Sequence, residues 1–174
     1  MIPLALNPET VRIGLAGAGA PAARRLAALH AAGAAPVVFG AALPDAAALA
    51  GLHVLYVTGV EAAQYEPLAA AARAAGVLVN VEDVPALCDF FSVAEVRRGD
   101  LLLTVSTGGA APGLAGVIRR ALEQIFPPVW AERVAEVAAL RQSWRAEGLP
   151  MAEAARRIGA MAQERCWLPC PEAD

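Results

Sequence analysis

The stretch Val11-Arg12-Ile13-Gly14-Leu15-Ala16-Gly17-Ala18-Gly19-Ala20-Pro21-Ala22 decides how the rest of the chain is read. A short β-type run passes directly into Gly17-Ala18-Gly19-Ala20-Pro21-Ala22, which has the form GxGxxA, and Pro21 occupies a first-turn position where a helix tolerates proline. In such a strand-turn-helix setting the first glycine permits a tight turn and the second lets the backbone approach a pyrophosphate. The small last residue lets helix and strand pack closely. Amides at the helix N-terminus then meet the anion. With 15 Gly and 43 Ala among 174 residues the pattern carries little weight by itself. Its place after a strand and before a helix gives it that weight.

Outward from this loop, short β-type runs alternate with Ala-rich helical stretches, the signature of βαβ units around a parallel sheet. A helix is predicted from Pro21 to Ala32 with Gly33 to stop it, then strands at Val37-Val38-Phe39, Val54 to Val57 and Val77-Leu78-Val79. Glu61 to Ala75 supplies the last crossover helix, ending at Gly76. Strands this short and apolar suit a sheet covered on both faces. The pattern then changes. Phe90 to Val96 and Leu101 to Val105 read as β segments joined by the polar turn Arg97-Arg98-Gly99-Asp100, followed by Ser106-Thr107-Gly108-Gly109 and a helix from Pro112 to Ile125. Helical segments from Val129 to Glu147 and Met151 to Arg165 flank Gly148-Leu149-Pro150. The expected fold is α/β: a Rossmann-type parallel-sheet domain over residues 1–90, a small α+β segment over 91–126 and a C-terminal helical segment over 127–174.

Composition excludes several chemistries. All 14 positive charges are Arg and Lys is absent, which removes Schiff-base catalysis and the Walker A phosphate loop. With only His30 and His53 there is no three-histidine zinc site; His30 falls within the first helix and His53 begins a strand. Cys88, Cys166 and Cys170 are odd in number, and the Cys166-Trp167-Leu168-Pro169-Cys170 spacing suits neither a redox CxxC nor a zinc knuckle, so reduced thiols are expected. No apolar run approaches a membrane span, and the N-terminus lacks the basic region of a signal peptide, so a cytoplasmic protein is expected. A net charge of -3 without a basic run gives no support to nucleic-acid binding.

Two loops carry chemistry. After the second strand, Phe39-Gly40-Ala41-Ala42 stands where an acidic residue would read a nicotinamide cofactor's ribose, with Asp45 several residues later, so NAD and NADP both remain open. Asn80-Val81-Glu82-Asp83-Val84-Pro85 follows the fourth strand, at the end of a parallel sheet where ligands bind. A carboxylate there is a candidate general base, accepting a proton as hydride leaves the substrate. The alternative is a solvated loop with Asp83 capping a turn before Pro85.

The order of GxGxxA, Asn80 to Pro85, Cys88-Asp89-Phe90, Arg97-Arg98-Gly99-Asp100-Leu101, Ser106-Thr107-Gly108-Gly109, Pro112, Leu114-Ala115 and Ile118 to Glu123 resembles the precorrin-2 dehydrogenase/sirohydrochlorin ferrochelatase family, the dehydrogenase part of siroheme synthase. The resemblance spans roughly residues 3–145, and its serine-glycine segment is the most specific part. It implies a homodimer interlocked through the 91–126 dimerisation segment, with the C-terminal helices helping to wall a tetrapyrrole cleft. It also implies NAD-linked oxidation of precorrin-2 to sirohydrochlorin, with insertion of ferrous iron in many members. Asp83 takes the place of the family's central aspartate. Gly17, Gly19, Ala20, Pro21, Ala41, Ala42 and Thr58 take the dinucleotide positions, and Ser106 the serine position. No resident metal site is expected. The implied substrate is a polycarboxylate, and Arg97-Arg98 and Arg119-Arg120 are the guanidinium clusters available to it, a solvated turn or helix face being the alternative for each. Arg24-Arg25 stand where they would flank cofactor phosphates.

The chain departs from the family pattern at Phe91-Ser92-Val93-Ala94-Glu95, where a proline is usual, and at Gly14 and Ala16, where bulkier residues are usual. Two other readings stay open: a non-catalytic NAD- or tetrapyrrole-binding module, and a different Rossmann reductase acting on a small substrate.

Overall fold

The computed structural model describes residues 2–168, so Cys170 lies outside the described residues. The chain divides into two compact units between Ser92 and Val93. The first contains β1 (Ile13–Ala16), α1 (Gly19–Ala31), β2 (Val37–Gly40), α2 (Ala46–Leu49), β3 (Val54–Val57), α3 (Tyr65–Ala74) and β4 (Leu78–Val81). The four strands form one parallel sheet in the order β2-β1-β3-β4, with Ile13 opposite Val54 and Val57 opposite Val81. Two parallel neighbours on either side of β1 reverse the direction of strand winding there, which opens the crevice where α/β sheets bind ligands.

Both faces of the sheet are covered, as the continuous apolar strands require. One core joins Ala16, Leu55, Val57, Val79 and Val81 to Leu49, Leu52, Leu68, Ala69 and Ala72 from the α2 and α3 side. Ile13, Leu29, Ala34 and Val54 form the other, and Tyr56 and Phe90, edge-to-face with each other, pack against it. Leu15, Leu55, Val57, Val77, Val79 and Val81 are fully buried, each stabilising the fold by about 1.5–3 kcal/mol relative to exposure. The unusual Gly14 has a packing reason. A Cβ there would lie 2.5 Å from Leu52 Cδ1, so Leu52 fills the space that a larger first-strand residue would take.

Element ends differ from the expectations for identifiable reasons. The first strand begins at Ile13 rather than Val11. α1 begins at Gly19, ahead of Pro21, and stops as expected, with Gly33 N–H bonded to His30 O and Ala34 N–H to Leu29 O. α3 ends through the equivalent pair, Gly76 to Arg73 and Val77 to Ala72, while the expected helical start at Glu61 is a 3-10 turn over Ala62–Gln64. The fourth strand runs on to Val81 because Val57 extends its partner. Phe90 is not part of a strand: its carbonyl accepts from Asn80 Nδ2 and its ring packs on Tyr56, so the first unit claims it.

The second unit holds the antiparallel hairpin β5 (Ala94–Arg98) and β6 (Leu101–Val105), then α4 (Pro112–Ile125), α5 (Trp130–Ala146) and α6 (Met151–Glu164). Val96 and Ala115 are buried where α4 packs on the hairpin, whereas α5 and α6 bury no residue fully. Trp167 returns to the start of α5, where Arg133 lies over both the Trp130 and Trp167 rings and Arg165 pairs with Glu136. On α6, hydrogen bonds from Arg156 and then Arg157 hold the Glu153 carboxyl down at about 2. The expected 127–174 segment and all but the first two residues of the expected 91–126 segment fall within this unit.

Candidate active site

The loop after β1 meets the end of β2 and the loop after β3 backbone to backbone. Gly17 N–H donates to Gly40 O at 2.8 Å, Thr58 N–H to Ala16 O at 3.0 Å, and Ala18 N–H to Gly59 O at 3.4 Å. A Cβ on Gly17 would sit 1.6 Å from Thr58 O, and one on Gly59 2.3 Å from Ala18 O; both residues also have positive φ, +138° and +66°. Only glycine satisfies both demands. The GxGxxA pattern exposed Gly17, but nothing in the sequence singled out Gly59, whose requirement comes from a loop remote in the chain.

Gly19 differs: a Cβ there would have only Pro21 Cδ near it, at 3.8 Å, so this side of the loop is open to an approaching group. Ala22 is buried, the close packing that the last position of the pattern demands. No side chain caps α1 and no acidic residue occupies its first turn, so its leading amides and the positive end of its dipole are left for an anion. A dinucleotide pyrophosphate suits this cradle. Thr58 is buried behind it, while Ala41 and Ala42 form an exposed turn after β2. Asp45 caps α2, accepting from Ala48 N–H at 2.8 Å, which employs it structurally.

Asp83 stands at the carboxyl end of β4. Val84 N–H donates to Val81 O at 3.1 Å, closing a turn with Glu82 and Asp83 at its centre, and Asp83 is held at φ +64°. A positive φ at the third residue alone is the signature of a type II turn, which favours Gly or Asn there. Asp at this place costs about 1 kcal/mol, and an exposed carboxylate retained at such a cost is a candidate functional group. Glu82 N–H is fixed to Val57 O at 2.9 Å. Its Oε1 lies 3.7 Å from Arg25 Nη2, and the Arg25 guanidinium lies 5.0 Å from the centre of the Tyr56 ring. Arg25 thus turns to the sheet, away from the phosphate role expected of the Arg24-Arg25 pair.

The Cys88-Asp89-Phe90 segment secures this turn from behind. Asp89 Oδ2 accepts from Val79 N–H at 2.9 Å and Asp89 N–H donates to Val79 O at 2.8 Å, so Asp89 stands in for a neighbouring strand at the open edge of β4. Arg73 Nε donates to the other carboxylate oxygen at 2.9 Å, and its Nη2 to Leu87 O at 3.0 Å. Cys88 Sγ lies 3.1 Å from Val81 O, a structural thiol rather than a reactive one. Asp89→Ala and Arg73→Ala should each lower stability by about 1–3 kcal/mol, and the double variant should lose less than the sum because both break one network. Chemical denaturation of the four proteins measures this; strict additivity would contradict it.

The remaining expected site residues belong to the second unit. Gly108 N–H donates to Ser106 Oγ at 3.3 Å, which places Ser106 in the loop before α4. Arg98 Nε donates to Phe126 O at 2.7 Å, tying β5 to the end of α4. Arg97 pairs with Glu95 and Arg119 with Glu123, while Arg120 is exposed on α4. Between α5 and α6 runs a groove of about 900 Å³ lined by Val137, Trp144, Leu149 and Met151 together with Arg141 and Arg145. Among the described residues no three His, Cys, Asp or Glu side chains gather to hold a metal, and no helix is long and apolar enough to cross a membrane.

Comparison with known proteins bears on the first unit. The NAD_binding_7 family of NAD(P)-binding domains matches residues 41–94. The siroheme synthase of Methylococcus capsulatus is 40% identical over 91 residues, 52% of this chain and 19% of that protein. Over that segment the chain is similar to siroheme synthases. The siroheme synthase of Nitrosococcus oceani is 43% identical over 72 residues, 41% of this chain and 15% of that protein. The siroheme biosynthesis protein met8 of Schizosaccharomyces pombe is 37% identical over 90 residues, 52% of this chain and 34% of that protein. The matches thus span about a third or less of these siroheme synthase relatives. Among solved structures, SirC, precorrin-2 dehydrogenase, superposes with a TM-score of 0.67 at 17% identity, covering 92% of this chain and 89% of that one. This extends the shared fold across both units.

Proposed function

We propose that the chain catalyses NAD-linked dehydrogenation of precorrin-2 to sirohydrochlorin in siroheme biosynthesis, as a cytoplasmic homodimer. The observation that carries this reading is Asp83, an exposed carboxylate kept in the left-handed conformation at the sheet's ligand-binding edge, two strands from the open glycine loop. The kinship with siroheme synthases supports the substrate class.

Gly17, Gly19, Ala20 and Pro21 would hold the pyrophosphate, with Ala41, Ala42 and Thr58 lining the rest of the dinucleotide. Bound NAD supplies the hydride acceptor. Asp83 takes the accompanying proton from the macrocycle, a task suited to an exposed carboxylate. Ser106 and the guanidinium groups of Arg97, Arg98, Arg119 and Arg120 bind the substrate's carboxylates; Arg120, without an ion pair among the described residues, is the freest of the four. The α5–α6 groove, apolar with two arginines, suits a wall for an anionic macrocycle. Leu114, Val117, Ile118 and Ile125 are exposed along α4, an apolar row that supports dimerisation through this helix. Ferrous iron would enter as a second substrate, with Asp83 receiving pyrrole protons.

Purified protein mixed with precorrin-2 and NAD, and separately NADP, tests this by absorption spectroscopy. The expected result is sirohydrochlorin with stoichiometric NADH, faster than with NADP, followed by a siroheme spectrum once ferrous iron is added. Dinucleotide and tetrapyrrole binding without spectral change would instead mark a module that has lost the chemistry.

A further inference from the structure

The reading of Asp83 as the reacting carboxylate explains neither Glu82 nor Arg25. Glu82 occupies the second position of the turn whose third position is Asp83, and its Oε2 is buried with no hydrogen bond among the described residues. A carboxylate so placed carries a desolvation cost that one partner must offset. Arg25 is the cation beside it, at 3.7 Å. Arg25 is itself four-fifths covered, with its guanidinium over the Tyr56 ring of β3. It belongs to α1, the helix whose N-terminus faces the proposed phosphate cradle.

We infer that Arg25 is a positioning residue: through Glu82 it ties the Asp83 turn to the dinucleotide-binding helix, and so holds the reacting carboxylate in register with the cofactor. The inference rests on the function proposed above only for its catalytic consequence. Without the guanidinium, the half-buried Glu82 carboxylate loses the cation beside it and swings out toward solvent. The side chain that fixes the turn is then released, and Asp83 loses the orientation that the left-handed turn imposes. Misplacing a reacting group by a fraction of its contact distance costs rate rather than binding.

Amide hydrogen exchange and steady-state kinetics on the full chain test this together, using Arg25→Met, Arg25→Lys, Glu82→Gln and the double variant Arg25→Met with Glu82→Gln. In Arg25→Met the Val84 amide, which closes the turn, should exchange about tenfold faster, while the Leu55 and Val57 amides in β3 stay protected. The rate constant kcat should fall about tenfold with the dinucleotide KM within about twofold of the parent, because orientation is lost and binding is not. Arg25→Lys should recover part of the loss. The double variant should be no worse than either single one. An unchanged Val84 amide overturns the inference, whatever the activity. A raised dinucleotide KM at constant kcat also overturns it, since Arg25 would then be a phosphate contact. If the parent protein reduces no dinucleotide, the dehydrogenase reading fails, and the exchange result still decides the tether.

Discussion

Asp83→Asn is expected to lower the proposed precorrin-2 oxidation by about 10²–10⁴-fold, the range that a positioned general base contributes, while dinucleotide affinity stays near that of the parent. The amide cannot accept the proton but occupies nearly the same volume. The fold should not pay for the change. Asp83 has φ +64° at the third position of its turn, and Asn is the non-glycine residue best suited to that conformation. The variant should therefore match or exceed the parent in stability, by about 0.5 kcal/mol at most. Asp83→Leu should lose both activity and stability, because a bulky side chain tolerates the left-handed region poorly. Thermal unfolding, dinucleotide titration and turnover, measured together, separate these effects. Full turnover by Asp83→Asn would remove Asp83 from the chemistry; a large fall in its stability would refute the account of the turn.

Gly17→Ala should unfold or severely destabilise the parallel-sheet unit, at a cost of about 3–5 kcal/mol, a large part of a typical domain's stability. The added methyl would lie 1.6 Å from Thr58 O, in backbone that β1–β3 pairing holds in place and that cannot swing aside as a side chain could. Gly59→Ala, whose methyl would meet Ala18 O at 2.3 Å, should behave similarly. Gly19→Ala is the informative control. It has positive φ but open space around its Cβ position, so it should cost only about 1 kcal/mol of conformational strain while weakening dinucleotide binding. Circular dichroism melts of the three variants distinguish collision from strain. A stable Gly17→Ala protein would mean that the β1 and β3 loops do not meet as described.

Local chemistry made much of this legible before any tertiary contact was known. Gly33 and Gly76 stop their helices through local backbone hydrogen bonds, and Val54 to Val57 form the third strand as expected. The relation between residues remote in sequence was not legible. The Cys88-Asp89-Phe90 segment carried a family resemblance but no visible reason; the reason is the free edge of β4, which Asp89 closes with its own side chain. Arg24 and Arg25 look alike in sequence. The helical turn points Arg25 to the sheet and leaves Arg24 exposed, so one became a partner of Glu82 and the other did not.

The sequence by itself determined the parallel α/β architecture, the glycine loop at the head of α1 and the acidic turn after β4, because strand periodicity, helix stops and the strand-turn-helix setting are local properties of the chain. Only the tertiary structure decided that Gly59 is as constrained as Gly17, that Gly14 makes room for Leu52, and that Arg25 reaches Glu82 beside Asp83. Each of these depends on two backbones or side chains brought together across the sheet. Excluded volume and charge pairing act at distances of a few ångströms in space, which no spacing along the chain encodes.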